Sequence, residues 1–489
     1  LAFAAALLGG AALLAPAASA SQAAGLYVVG AGNGHGVGMS QYGAAGYALH
    51  GAGYQQILRD YYSQTTLGHV SPGRIVTVLL RAQGAAMFSG ATRIKGSPLK
   101  LDPSVAYQVL RAAGGRLRVA AGRHRIGVVA APLQVSGPGP VKLIGLGEYR
   151  GALSFRPSAN GNGVTTINAV GLDDYVRGVV AAEMPPGWPA QALEAQAVAA
   201  RTYAIASRPV TASFEVYDNT NSQMYGGVKA ETASGDAAVA ATSGQVVEYN
   251  DAPIVTYFFS SSGGETESIQ NVFSLAPEPW LVGRPDPYDD TLNNPYHHWK
   301  LTLSLNAAKA KLGGLVQGSL KGIKVLQHGV SPRIVKARVV GTKGSVDVTG
   351  DQLRRALGTP STWMTFTTIS SHGGRTTTNP SSPTTTTTTT STTPSGGTPL
   401  IRRVQRAAAV LAGALSAVRL PTNRYAVTGT VFPVTPHAHV RIQFDPGDGW
   451  VSVASGVVAG NGSYSVAVAD PGTYRVLYAG IAGPAVSVG

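Results

Sequence analysis

The sequence predicts an α+β protein: a mixed α/β module with a β-rich insertion, followed by a small C-terminal all-β sandwich module. Three observations predict it. Two helical patterns meet at a proline-marked corner between residues 172 and 207. Short apolar or alternating runs, broken by Gly and Pro, recur at 75–80, 117–120, 141–144 and 152–155. Alternation resumes after residue 425 in VTGTVFPV, HVRIQF, GSYSVAV and TYRVLYAG, with turn signals between the runs. A chain of 489 residues has room for two or three domains, and 44% hydrophobic residues supply real cores. Its 62 glycines and 30 prolines suit short strands joined by many turns.

Taken in order, the chain opens LAFAAALLGGAALLAPAASASQA. Residues 1–14 are apolar, and Ala18, Ser19 and Ala20 read as a small-residue cleavage site. Residues 1–20 are therefore expected to be a signal peptide with a truncated start, since the basic n-region and initiator Met are missing. No later stretch is long and apolar enough to cross a bilayer, so no stable span is expected after cleavage. Residues 30–66 read as a glycine-rich loop and two short helices carrying Tyr42, Leu49, Ile57, Leu58, Tyr61 and Tyr62. No G-x-G-x-x-G runs through Gly30, Gly32, Gly34 and Gly36, and Ser40 is in no G-x-S-x-G elbow. A β-rich region is expected over 74–168.

Leu172, Val176, Val179 and Val180 then recur at helical spacing, with Asp173 and Asp174 suited to the helix N-terminus. Pro185 and Pro186 stop that helix, because neither supplies an N–H and each constrains its predecessor. A second helix is expected from about Pro189 to Ser207, with Leu193, Ala197, Ala200 and Ala204 as an alanine-rich inner stripe open to close approach. Further on, the pattern predicts a helix over 231–242, strands at 245–249 and 254–259, and a strand–helix tail at 334–357. This main module is expected over 26–370. A Thr/Pro-rich linker follows at 371–400, unable to bury a core. Residues 401–420 read as a basic helix bearing Arg402, Arg403, Arg406 and Arg419, and 421–489 as the β-sandwich-like accessory module.

The formal charge of +14 implies an anionic partner surface. No nucleic-acid-binding pattern is present, so a negatively charged cell wall fits better and no nucleic-acid partner is expected. The chain has no cysteine. Disulfides, thiol catalysis and Cys-based metal sites are thereby excluded. His297 and His298 are adjacent rather than four apart and make no convincing metal pair. No metal and no cofactor are expected.

Glu183 is the residue with chemical potential. It shares the apolar face of Val176 and Val179 and sits where the helix must stop, so burial there can raise its pKa enough for general-acid work. By pattern alone the plainer reading is a glutamate that caps the turn by accepting backbone N–H bonds. Asp173 and Asp174 lie about three turns earlier, roughly 13 to 15 Å away at the helical rise.

The run VVAAEMPPGWPAQALEAQAVAARTYA resembles the signature of the SpoIID/LytB family of peptidoglycan-acting proteins. The resemblance implies that Glu183, in the E-M-P triplet, is the catalytic acid of a lytic transglycosylase. Such an enzyme cleaves glycan strands between MurNAc and GlcNAc and leaves a 1,6-anhydro-MurNAc product. GHGVGMSQYGA resembles a segment that ends the catalytic module in many members. Here it precedes the module, so residues 30–66 are expected to complete it as a permutation and to fold His35 back towards Glu183. Tyr149, Arg150 and Gly151, the block from Tyr217 to Val228, and SSSGGET at 260–266 are also family-like. Expected substrate-binding residues are His35, Gln41, Ser222, Gln223, Tyr225 and Ser262, with Arg201 and Tyr203 supporting the corner. Some members hold zinc through Cys and His in the block matching 218–225; here Ser222 and the lack of cysteine argue against it. The implied partners are peptidoglycan glycan strands and an amidase or other wall protein, and the implied location is secreted and wall-associated. The alternative is a non-catalytic wall-binding enhancer of an N-acetylmuramoyl-L-alanine amidase.

Overall fold

The computed structural model describes residues 22–375 and 425–489, apart from residues 83, 85, 160, 162, 208 and 209. The expected signal peptide, most of the Thr/Pro linker and the basic helix at 401–420 lie outside the described residues. The fold is α+β. After the first strand, Gln22–Gly30, come α1 (Gln41–Leu49) and α2 (Tyr54–Tyr61). Two six-stranded sheets then form the β-rich region. Alternation decides which side faces in: Val76, Val78 and Leu80 of strand Ile75–Arg81 are buried, while the residues between them are not. The sheets meet where Phe88 of one stacks on Phe155 of the other, with ring centroids 5.5 Å apart.

The strand Val164–Gly171 runs straight into α3 (Leu172–Glu183). Gly171 gives that helix no side-chain cap, and Asp173 and Asp174 in the first turn complement its dipole instead. Leu172, Tyr175, Val176, Val179 and Val180 are buried. Gly178 permits a close approach: a Cβ there would lie 2.5 Å from the Tyr225 ring. The next helix, α4 (Ala190–Ala206), is buried almost all round, from Ala192 to Ala204. Its alanines let α1, α2, α3 and α5 (Ala233–Ala241) all pack against it.

The segment expected as a strand over 254–259 is one only at Phe258–Phe259. Residues before it bond to helices and to single strand positions rather than along a continuous ladder. Thr256 Oγ1 donates to the Ala199 carbonyl at 2.7 Å, and the Tyr257 carbonyl accepts from Met39 N and Tyr62 OH. There follow α6 (Ile269–Phe273), α7 (Leu305–Leu312) and α8 (Gly350–Leu357), the last closed by a capping box between Thr349 and Gln352.

The C-terminal module is joined to the rest by more than a tether. One five-stranded sheet runs Trp299–Ser304, Gln22–Gly30, Met364–Arg375, Tyr425–Phe432, Ser463–Val468. The third and fourth strands pair from Thr368↔Phe432 to Arg375↔Tyr425. Residues 371–375, assigned by composition to the linker, are therefore strand. Ile369 packs in one core with Val427, Val440, Ile442 and Val476, and Tyr27 leans on it. Free uncoupling of the two modules is not what this ladder allows.

Candidate active site

α3 ends at Glu183 because Met184, which precedes Pro185, is extended (φ −131°, ψ 134°). Its N–H still closes the last turn on the Val180 carbonyl at 2.9 Å, and its side chain is buried. The Glu183 carboxylate is left at the corner, partly exposed. Oε1 accepts the Met224 N–H at 2.6 Å. Burial raises the Glu183 pKa above the usual glutamate value, and hydrogen bonds from the Met224 N–H and the Gln41 side chain partly oppose that. No charged neighbour contributes to the shift.

The loop-and-helix segment at 30–66 reaches this corner from the far side of the sequence. Gln41 Nε2 donates to the Glu183 carbonyl oxygen at 3.1 Å and lies 3.4 Å from Gln196 Oε1. The Tyr42 ring meets Trp188 edge-on, centroids 4.8 Å apart. His35 and Glu183 line one cleft of about 1010 Å³, together with Tyr203, Ser222, Tyr257 and Phe273. His35 Nδ1 accepts the Val37 N–H at 3.1 Å. Its pKa falls to about 4, first through burial and then through the Arg333 charge, so the ring is neutral at neutral pH.

The other expected site residues divide. Ser222 and Tyr203 line the cleft, with Ser222 Oγ accepting the Tyr217 N–H at 3.1 Å. Gln223, Tyr225 and Ser262, expected to bind substrate, are instead buried and engaged within the fold. Gln223 Nε2 donates to the Ala200 carbonyl at 3.1 Å, and Tyr225 OH donates to Asn168 Oδ1 at 2.7 Å. Ser262 Oγ accepts the Gly264 N–H at 3.0 Å. Gln41 is buried too, and acts on the corner through the Glu183 backbone. Arg201 is fully buried, pairs with Asp173 at 2.6 Å and donates to the Gln245 carbonyl at 3.2 Å. That pair ties the first turn of α3 to the later turns of α4, about three turns from the corner, and leaves Asp173 engaged in the fold rather than a rival to Glu183.

Sequence reasoning missed the Met224 N–H, the aromatic side chains of Tyr257 and Phe273, and the α8 wall carrying Asp351, Arg354 and Arg355. α6 holds only five residues, too few for a periodic signal. It also missed Asp289, fully buried, which ties Ser40 at the head of α1 to the loop at 260–264. Among the described residues no group of three His, Cys, Asp or Glu could hold a metal ion. His297 Nδ1 lies 3.0 Å from Asp289 Oδ2 instead.

Residues 160–249 match the sequence profile of the SpoIID family, described as "Stage II sporulation protein". That span contains α3, α4, the corner between them and Met224. The resemblance to the SpoIID/LytB family seen in the sequence is thus matched by the family profile over this span. It is 31% identical over 215 residues to "Stage II sporulation protein D" of Bacillus amyloliquefaciens, covering 40% of this chain and 59% of that protein. To "Amidase enhancer" of Bacillus subtilis it is 34% identical over 157 residues, 32% of this chain and 21% of that protein. A third relative, an uncharacterized protein of Brachyspira hyodysenteriae, is 40% identical over 139 residues, 28% of this chain and 37% of that protein. The chain thus spans between about a fifth and three-fifths of the length of these relatives. His35 and Gln41 lie ahead of the SpoIID match, yet reach the same cleft or corner as Glu183.

Proposed function

We propose that this chain is a cell-wall protein that cleaves peptidoglycan glycan strands by lytic transglycosylation, with Glu183 as general acid and then general base. The observation that carries the reading is a carboxylate with few donors, the Met224 N–H and the Gln41 amide, at the edge of a large cleft, its pKa raised by burial. Protonated Glu183 donates to the glycosidic oxygen as the anomeric C–O bond breaks. The C6 hydroxyl of the same MurNAc attacks the anomeric carbon, and its proton returns to Glu183. The acid is regenerated and no water is consumed, so one free carboxyl suffices where hydrolysis commonly takes two. The other carboxylates lining the cleft are engaged: Glu267 by Ser331 and Asn271, Asp351 by Arg354 and Arg355. Export and a wall location follow from this reading.

A second reading is favoured by the similarity to a protein named "Amidase enhancer": a wall-binding partner that speeds an amidase and cuts nothing itself. The test is digestion of purified peptidoglycan, denuded and intact, by the chain alone and together with a purified amidase. Transglycosylation predicts 1,6-anhydro-MurNAc ends from the chain alone. Release of stem peptides that speeds up only in the mixture, with no anhydro ends, would make it an enhancer.

A further inference from the structure

Part of the cleft is a continuous run of aromatic rings. Tyr203 meets Tyr257 edge-on at 5.9 Å, Tyr257 meets Phe273 at 4.9 Å with 32° between planes, and Phe273 meets His35 at 5.2 Å. All four rings line the cleft that holds Glu183. Phe273 is the most exposed of the four, at 37%.

Its position is nonetheless fixed. Beneath α6, buried Glu267 accepts the Ser268 N–H at 2.8 Å and the Asn271 Nδ2 at 2.9 Å through one oxygen. The other oxygen accepts the Ser331 hydroxyl at 2.7 Å. Ser274, directly after Phe273, is left-handed (φ 54°) and ends α6. Gln270 and Asn221 add amides to the same lining. Flat apolar rings with a few amides at their edge suit a pyranose, whose C–H face is apolar and whose hydroxyl and acetamido groups lie around the rim.

We propose that Phe273, backed by the Tyr257 ring, forms a stacking platform for one sugar ring of the glycan, placing the strand so that a glycosidic bond reaches Glu183. This rests on the glycan reading of the cleft and adds the residues that hold the sugar. Both are positioning residues, since neither exchanges a proton.

The test is calorimetric binding of a peptide-free tetrasaccharide of alternating GlcNAc and MurNAc to the full chain carrying Glu183→Gln, which cannot turn it over. Adding Phe273→Ala should weaken binding about tenfold or more, and Phe273→Tyr should keep it within about twofold. Phe273→Leu, which keeps apolar bulk without a flat face, should behave like Ala and covers the case in which the Ala variant melts early. Ala and Leu variants that bind within about twofold of their parent would remove the platform and leave Glu183 untouched. A folded parent that does not bind the tetrasaccharide at all would remove the glycan reading and the platform together.

Discussion

Two carboxylates close to the α1 segment are built in opposite ways. Asp289 has its lone pairs filled: it accepts from the hydroxyls of Ser40 and Ser261, the N–H groups of Ser262 and Gly263, and the amide of Asn294. Glu183 has far fewer donors: its carboxylate accepts the Met224 N–H, with the Gln41 amide beside it, and it borders the open cleft. A buried anion with every lone pair satisfied holds structure together, because any change leaves several donors unpaired. An anion short of partners is the one whose proton can come and go. The difference between them is the number of donors each fold element supplies, since both are glutamate- or aspartate-type acids.

The sharpest way to break this comparison is substitution at both sites. Glu183→Gln should lower glycan cleavage by at least about 100-fold, because the amide keeps shape but delivers no proton. Its folding should not suffer. A carboxylate whose folded pKa is raised stabilises the fold only while protonated, and that stability is lost as pH rises through the folded pKa. The Gln variant should therefore melt at or above the wild type at pH 8, with the gap closing below the unfolded glutamate value of about 4.3. Asp289→Ala should do the reverse, costing about 3 kcal/mol of stability in denaturant melts by orphaning buried donors. Activity should then fall only as far as the fold does.

A third acid sharpens the contrast. Asp286 is buried beside Asp289, takes the Tyr61 hydroxyl on Oδ1 at 2.8 Å, and has no partner on Oδ2. Burial, with the Asp289 charge second, pushes its pKa up to about 7. Its protonated form is the one the fold prefers, so stability should drop as pH rises through about 7. Asp286→Asn should raise the melting temperature at pH 8 and change little at about pH 3, below the unfolded aspartate value of about 3.9. An equal shift at both pH values would show that Asp286 is not protonated in the fold.

Legibility in the sequence followed the range of the interaction. α3 and α4 were readable almost to the residue, because Pro185, Pro186 and Pro189 act on their immediate neighbours. Glu183 was readable for the same reason, as a residue on an apolar face at a forced stop. Gln223 and Tyr225 look like cleft residues in sequence, yet their partners Ala200 and Asn168 lie 23 and 57 positions away. No local pattern reports such a pairing. The C-terminal strands were readable from alternation, but not the strand they join, since Met364–Arg375 and Tyr425–Phe432 pair across an intervening stretch of chain. Ser40 and Asp289 likewise meet across 249 positions.

The central claim is that one lightly held carboxylate, Glu183, serves as both acid and base while the sugar supplies its own nucleophile. Digestion of peptide-free glycan in water enriched in the heavy oxygen isotope, followed by mass analysis of the new ends, tests it most directly. The account predicts 1,6-anhydro ends that carry no label, formed by the wild type and not by Glu183→Gln. Reducing ends that carry the label would mean that water is the nucleophile, and that a second group activates it.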